Sequence, residues 1–281
     1  MRQSPGYSAL EGALPRLNEA YGRYNRREYV SPDPLETLYG FHRTADLEVA
    51  ALVVSSISYG RVASILGSAR KLLTIMGGSP AEFVMTASPR ALEDAVASFR
   101  HRFTSGLEMA LLMRGIGRVL REYGTLEQFM AASMERAGGP VGGLSRFVAE
   151  LREKSALNGK YLLPSPEDGS ACKRLFLFLK WMVRRDEVDP GGWTAVHPRD
   201  LVLPMDVHMF RNCSALGLTE RRQPSLKAAV EVTDLFREFV PEDPVKFDFV
   251  ITRFGIRKGL NPRLLVELCR AGGDPEGSPP G

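Results

Sequence analysis

Cysteine is scarce in this chain. Its three cysteines, Cys172, Cys213 and Cys269, lie far apart in a sequence of 281 residues. No two have the spacing of a zinc-ligand pair, and no four-cysteine pattern exists to hold an iron–sulfur cluster. A sparse, odd set of thiols fits a reducing compartment, with Cys213 and Cys269 as ordinary buried side chains and Cys172, one residue from Lys173, packed beside it rather than acting. Long apolar runs are missing too. No stretch of about eighteen apolar residues is present, which excludes a transmembrane helix of the usual kind. The start, Met1-Arg2-Gln3-Ser4-Pro5-Gly6, lacks the apolar segment of a signal peptide. A soluble, cytoplasmic protein without a metal or other cofactor is expected. Strand-like alternation is scarce, and there is neither an internal repeat nor a low-complexity block.

What is present is apolar content and helical rhythm. Hydrophobic residues make up 44% of the chain, ample for a core in one large domain or two lobes. The formal net charge is +4 and the pI is near 9.0. This balance is compatible with a polyanionic partner but too mild to demand one. Arginine carries much of the positive charge, and its fork suits bidentate phosphate contacts. Leu47, Ala50, Ala51, Val54, Ile57 and Ser58 recur at helical spacing. So do Leu107, Ala110, Leu111, Ile116 and Leu120. The short apolar run Leu201-Val202-Leu203 ends at Pro204 and reads as a connector. Breakers at Ser31–Pro34, Gly77–Pro80, Gly138–Pro140, Leu163–Pro166, Asp189–Gly192 and Pro241–Pro244 mark the joints. The pattern predicts an all-α protein of roughly ten to fourteen helices. Residues 1–270 are expected to form one two-lobed helical domain, and the Gly/Pro-rich residues 271–281 a disordered tail.

Two residues stand out chemically. Lys173 opens an amphipathic helix after Gly169-Ser170-Ala171-Cys172, and Asp206 opens the next one after Leu203-Pro204-Met205. With Ser170 as N-cap, Lys173 is the third helical position, where a capping box would carry Glu or Gln. The positive end of the helix dipole and the neighbouring Arg174 both favour the neutral, nucleophilic amine. Leu175, Phe176, Phe178, Leu179, Met182 and Val183 share a buried face, while Lys173, Lys180 and Arg184 fall on a basic one. A solvated lysine on an amphipathic helix is the plainer reading of Lys173. Phosphate contacts through Lys180, Arg184 and Arg185 are an intermediate one. Asp206 reads equally as an N-cap, a role compatible with one free oxygen facing a cleft.

Other segments carry weaker signals. In Ser58-Tyr59-Gly60-Arg61, Tyr59 could stack on a base and Arg61 grip a phosphate, or Gly60 could simply stop a helix. Phe99-Arg100-His101-Arg102-Phe103 sets basic residues among aromatics, as phosphate contacts by Arg100 or Arg102 or as a turn between helices with His101 structural. Trp193 either lines a pocket or plugs a loop into the core. His208 is structural or a phosphate donor. Asp248, Arg253 and Arg257 lie on a late helix, either closing a pocket or forming an internal salt bridge.

The segment from Leu163 to Leu218, with Lys173 at a helix start and Asp206 in Met205-Asp206-Val207-His208, resembles the helix–hairpin–helix DNA glycosylase superfamily. The separation of lysine and aspartate is similar to that of the archaeal 8-oxoguanine glycosylase type. Across residues 20–260 the chain also resembles an uncharacterised bacterial family of conserved hypothetical proteins. The matching segments include Tyr24–Arg27, Ser58–Val62, Phe99–Phe103, Gly169–Leu175, Trp181–Arg184 and Asp189–Trp193. The glycine-x-glycine hairpin of the superfamily is absent, with only Gly169 preceding Ser170. The resemblance implies an all-helical, two-lobed fold with a cleft that holds a base flipped from duplex DNA. It implies a monomeric, bifunctional glycosylase and abasic-site lyase for an oxidised purine, 8-oxoguanine foremost. Lys173 and Asp206 would be catalytic. Ser58, Tyr59, Arg61, Arg100, Arg102, Ser170, Lys180, Arg184, His208 and Arg211 would contact nucleic acid. The competing readings are a non-catalytic nucleic-acid-binding protein that retains the fold and, third, a helical partner-binding protein that leaves Lys173 and Asp206 unexplained.

Overall fold

The computed structural model describes residues 4–257 and 259–270; the tail predicted over 271–281 lies outside them. The described chain is mostly helical, as its periodicity predicts. In order, the helices are α1 (Pro5–Tyr24), α2 (Thr44–Ser56), α3 (Val62–Met76), α4 (Pro80–Thr86), α5 (Pro89–Val96), α6 (Gly106–Tyr123), α7 (Leu126–Ala137), α8 (Pro140–Ser155), α9 (Lys173–Val183), α10 (Val207–Ala215), α11 (Leu226–Phe239), α12 (Asp248–Ile256) and α13 (Pro262–Arg270). Strand pairing among the described residues is confined to a hairpin of β1 (Arg100–His101) and β2 (Thr104–Ser105). Phe99–Phe103, read above as a turn between helices, therefore carries the first strand and tip of this hairpin. The hairpin runs into α6 through a capping box, in which Ser105 and Glu108 satisfy each other's backbone N–H.

Helix α2 runs through the core. Every residue from Asp46 to Ser56 is buried, as expected of a helix that is apolar nearly all round. Its two acids are not orphaned. Asp46 Oδ1 accepts from the N–H of Ala81 at the start of α4 (3.0 Å). Glu48 accepts from Leu126 N at the start of α7 (2.9 Å) and from the indole of Trp193 (3.0 Å). Each carboxylate thus caps a neighbouring helix from outside, where free N–H groups and the dipole favour negative charge. Trp193 plugs the segment after α9 into the core, packed edge-on to Phe178.

Packing sorts the helices into two groups. Helices α6, α7 and α8 pack on one another, with α4 and α5 against α6 and α2 against α4 and α9. Helices α1, α10, α11, α12 and α13 form the other group. Helix α9 lies against α2 and reaches the second group through ion pairs. The segment after it folds back along α9, with Gly191 N donating to Trp181 O (3.0 Å) and Trp193 N to Met182 O (2.9 Å). Gly191 permits this: its φ is +65°, and a Cβ there would stand 2.9 Å from the Arg184 carbonyl oxygen.

Candidate active site around Lys173 and Asp206

Helix α9 starts later than Ser170 suggests. Ser170 Oγ accepts from Cys172 N (3.1 Å), and Cys172, at φ 50°, is the N-cap. Lys173 is therefore the first helical residue. The chain makes a left-handed corner immediately before it, which turns the lysine out of the loop and onto the stripe Lys173, Leu177, Lys180, Trp181. Asp206 is the N-cap of α10, as its sequence context predicts. Its Oδ1 accepts from Met209 N at 2.8 Å, which leaves Oδ2 free, and Lys173 Nζ lies 3.4 Å from that oxygen. The side chains are 34% and 18% exposed, so the pair is reachable from solvent yet partly enclosed.

The pair sits in the wall of a pocket of about 380 Å³ between the two helix groups. Pro34, Leu35, Val62, Ile65, Leu177 and Phe249 supply apolar walls, and Asp206, His208, Asp248 and Arg253 supply polar ones. That volume lies in the lower part of the range for small-molecule sites. No group of three or more His, Cys, Asp or Glu residues among those described is placed to hold a metal ion.

Two expected phosphate contacts are excluded by burial. Lys180 and Arg184 do share the stripe of Lys173, since positions seven and eleven residues on return to roughly the same side of a helix. That stripe dives inward, and only its first residue reaches the opening. Lys180 is 2% exposed and Arg184 is 3% exposed. Lys180 Nζ pairs with Asp189 (2.9 Å) and Asp248 (3.2 Å). Arg184 pairs with Asp189, with Asp186 (2.9 Å) and with Asp243 (3.0 Å), and donates to the Tyr21 hydroxyl. Burial disfavours the Lys180 ammonium, but Asp189 and Asp248 outweigh it and hold the group above its ordinary range. Burial also lifts Asp248 and Asp243 above the usual carboxylate range, despite the cations beside them. These residues fasten α9 to α12 and α1 behind the pocket. Asp248 and Arg253 are paired internally in the same way, the latter with Asp33 at 2.9 Å.

Ser58 also needs correcting as a contact residue. It lines the pocket but is 3% exposed, and its hydroxyl donates to the Val54 carbonyl (2.8 Å). His101 is structural, its ring held between Ser68 Oγ (2.9 Å) and Tyr59 O (3.0 Å). Tyr59 is half-buried, and its hydroxyl bonds His101 O and Thr104 Oγ1. His208 is half-buried in the pocket wall against Gly255. Arg61, Arg100, Arg102 and Arg211 are exposed, and among the described residues none has an ion-pair partner. Ser170 is partly exposed, with its oxygen engaged as above.

The sequence offers Arg174 only as a charged neighbour of Lys173 and gives no sign of Tyr161. The Arg174 guanidinium donates to the carbonyls of Ser56 and Tyr161 and lies within 5.0 Å and 5.3 Å of the Tyr59 and Tyr161 ring centroids. It pins the end of α2 to the loop before α9, and that junction sets where Lys173 stands. The aromatic–arginine pairing is long-range, so no local pattern marks it.

Residues 33–257 match a family described as a protein of unknown function, DUF2400, and the chain belongs to that family. No curated protein and no solved structure matches it significantly.

Proposed function

We propose that this DUF2400 family member is a bifunctional DNA glycosylase and abasic-site lyase that removes an oxidised purine, with 8-oxoguanine the favoured base. The observation that carries the reading is the placement of an amine and a carboxylate, each at the start of its own helix, 3.4 Å apart in a pocket wall. The pocket between two helix groups is consistent with the two-lobed arrangement of helix–hairpin–helix glycosylases, and its apolar walls suit a flipped base.

The chemistry follows from the two groups. Lys173 must shed a proton before it can attack, and Asp206 Oδ2 is within reach to take it. The Nζ lone pair forms a bond to sugar C1′ while the C1′–N9 bond breaks, and the base leaves with that electron pair and a proton. The negative carboxylate also stabilises the cationic character of the sugar in the transition state. Opening of the ring yields an imine between Nζ and C1′. Loss of a C2′ proton then expels the 3′ phosphate, and water hydrolyses the imine to regenerate the amine. Asp206 is held by its bond to Met209 N, so it is oriented before substrate arrives.

The test is reductive trapping. Wild-type protein and duplex DNA containing 8-oxoguanine are treated with borohydride, and a covalent protein–DNA adduct is expected. Lys173→Gln should give no adduct and no strand nick. Base release at near wild-type rate by Lys173→Gln would refute the imine route. Absence of adduct on 8-oxoguanine, other oxidised purines and abasic sites, with DNA binding retained, would leave the non-catalytic nucleic-acid-binding reading.

A further inference from the structure

A second hollow, of about 480 Å³, adjoins the first. Ser58, Tyr59 and Lys173 line both, and Tyr161, Asp168 and Arg174 are among the residues that line the second alone. Its rim is aromatic. Tyr59 meets Tyr161 edge to face at 5.0 Å between centroids, and Tyr161 meets Phe103 in the same way at 5.4 Å. Phe103 is 69% exposed and Tyr161 is 46% exposed. Phe103 occupies the two-residue tip of the β1–β2 hairpin, beside Arg102 at φ 51°. Hairpin tips ordinarily carry small polar residues that tolerate such backbone. Folding alone gives no reason for a large ring there, because little of it is buried.

The charge around the ridge selects its occupant. Arg61, Arg100 and Arg102 are exposed and have no carboxylate partner among the described residues, and the Arg102 guanidinium stands 5.6 Å from the Phe103 ring centroid. Asp168, the acid that lines the hollow, is neutralised by Lys160 (2.7 Å) and Arg152 (2.5 Å), which hold its carboxyl well below the usual range. An apolar protein partner would bury the Arg102 guanidinium against the ring without a counter-charge and leave the exposed Arg61 and Arg100 nearby in the chain unanswered. A nucleic-acid strand supplies phosphates for the cations and a π-face for the rings. We propose that Phe103 and Tyr161 form a stacking platform for an unpaired base of a single-stranded nucleic-acid segment, whose phosphates Arg61, Arg100 and Arg102 hold. The shared wall places this base next to the nucleotide at Lys173. That placement rests on the glycosylase reading, whereas the stacking itself does not.

The experiment uses the full chain and a short oligothymidylate carrying a fluorescent label, followed by anisotropy. A second oligonucleotide carries 2-aminopurine, whose emission is quenched when it stacks. Phe103→Ala is expected to weaken single-strand binding about 10-fold and relieve the quench, within the range for loss of one stacked base. Phe103→Trp should retain both. The melting temperature of Phe103→Ala should stay within about 2 °C of wild type, as for other exposed substitutions. Tyr161→Ala should weaken binding as well, and its melting curve reports any disturbance of the Arg174 junction. Single-strand affinity of Phe103→Ala within about two-fold of wild type, or an unquenched probe on wild-type protein, would overturn the platform. The Lys173→Gln protein should still quench the probe. On wild-type protein, quenching without any borohydride adduct would sink the glycosylase reading and leave the platform standing, and an adduct without quenching would do the reverse.

Discussion

Replacing Asp206 by asparagine separates chemistry from architecture. In the wild type, Oδ1 caps α10 through Met209 N at 2.8 Å, and Oδ2 faces Lys173 Nζ at 3.4 Å. Asparagine keeps an oxygen for the cap, and Asn and Asp are nearly equivalent as N-caps, so the helix should lose only tenths of a kcal/mol. The second oxygen becomes an amide N–H₂, which donates and cannot accept a proton. The ion pair is lost, but both partners are partly exposed and solvent screens them, so its contribution to stability is about 0–1 kcal/mol. For a chain of this size that corresponds to a drop in Tm of about 0–4 °C. The effect on rate should be far larger. Loss of a positioned proton acceptor costs about 10²–10⁴-fold, and the lost charge on the developing cation adds to it. Duplex affinity and its salt dependence should stay near wild type, because what the carboxylate contributes toward the substrate, charge on the developing cation, arises only in the transition state. Three measurements check this: thermal melting, anisotropy titration across salt, and single-turnover release of 8-oxoguanine. Base release within about three-fold of wild type would refute the assignment of Asp206 to the proton and charge role. A fall in Tm of about 10 °C would refute the view that the cap survives.

Two further perturbations test the interior. Lys180→Met strips the cation from between Asp189 and Asp248, which burial leaves with no solvent to replace it, and should cost about 3–5 kcal/mol. Its Tm should fall by about 10 °C or more, with the salt slope of DNA binding unchanged; a flattened slope with an unchanged Tm would mean that Lys180 reaches phosphate after all. Glu48→Gln tests the carboxyl on α2, which burial pushes up to about 7 against the N–H groups of Leu126 and Trp193. A raised folded-state value means that Glu48 favours folding below its ordinary value of 4.5 and that this contribution is lost as pH rises through about 7. Wild-type stability minus that of the variant, from urea unfolding, should therefore fall by about 3 kcal/mol between a pH below 4.5 and one above about 7. A flat difference would show that the capping N–H groups offset burial and leave Glu48 near its ordinary value.

The sequence by itself determined the helical class, the position of the main breaks, the N-cap role of Asp206 and the identity of the lysine worth examining. Those properties are local. Apolar spacing along one segment, a capping residue before an apolar run and a proline at a joint act through neighbours within a turn or two. The sequence also placed Lys173, Lys180 and Arg184 on one side of α9. Tertiary structure alone decided which way that side faces. Asp189, Asp243 and Asp248 come from segments that no periodicity links to α9, and their arrival turns two expected surface cations into buried ties. The 3.4 Å approach of Lys173 to Asp206 depends on the left-handed corner at Cys172 and on Arg174 clamping the end of α2 to Tyr161. Likewise, nothing near Phe103 in the chain announces Tyr161 as its neighbour. Contacts between distant segments depend on how whole helices pack, and packing is set by the summed shape and burial of many side chains rather than by any short pattern.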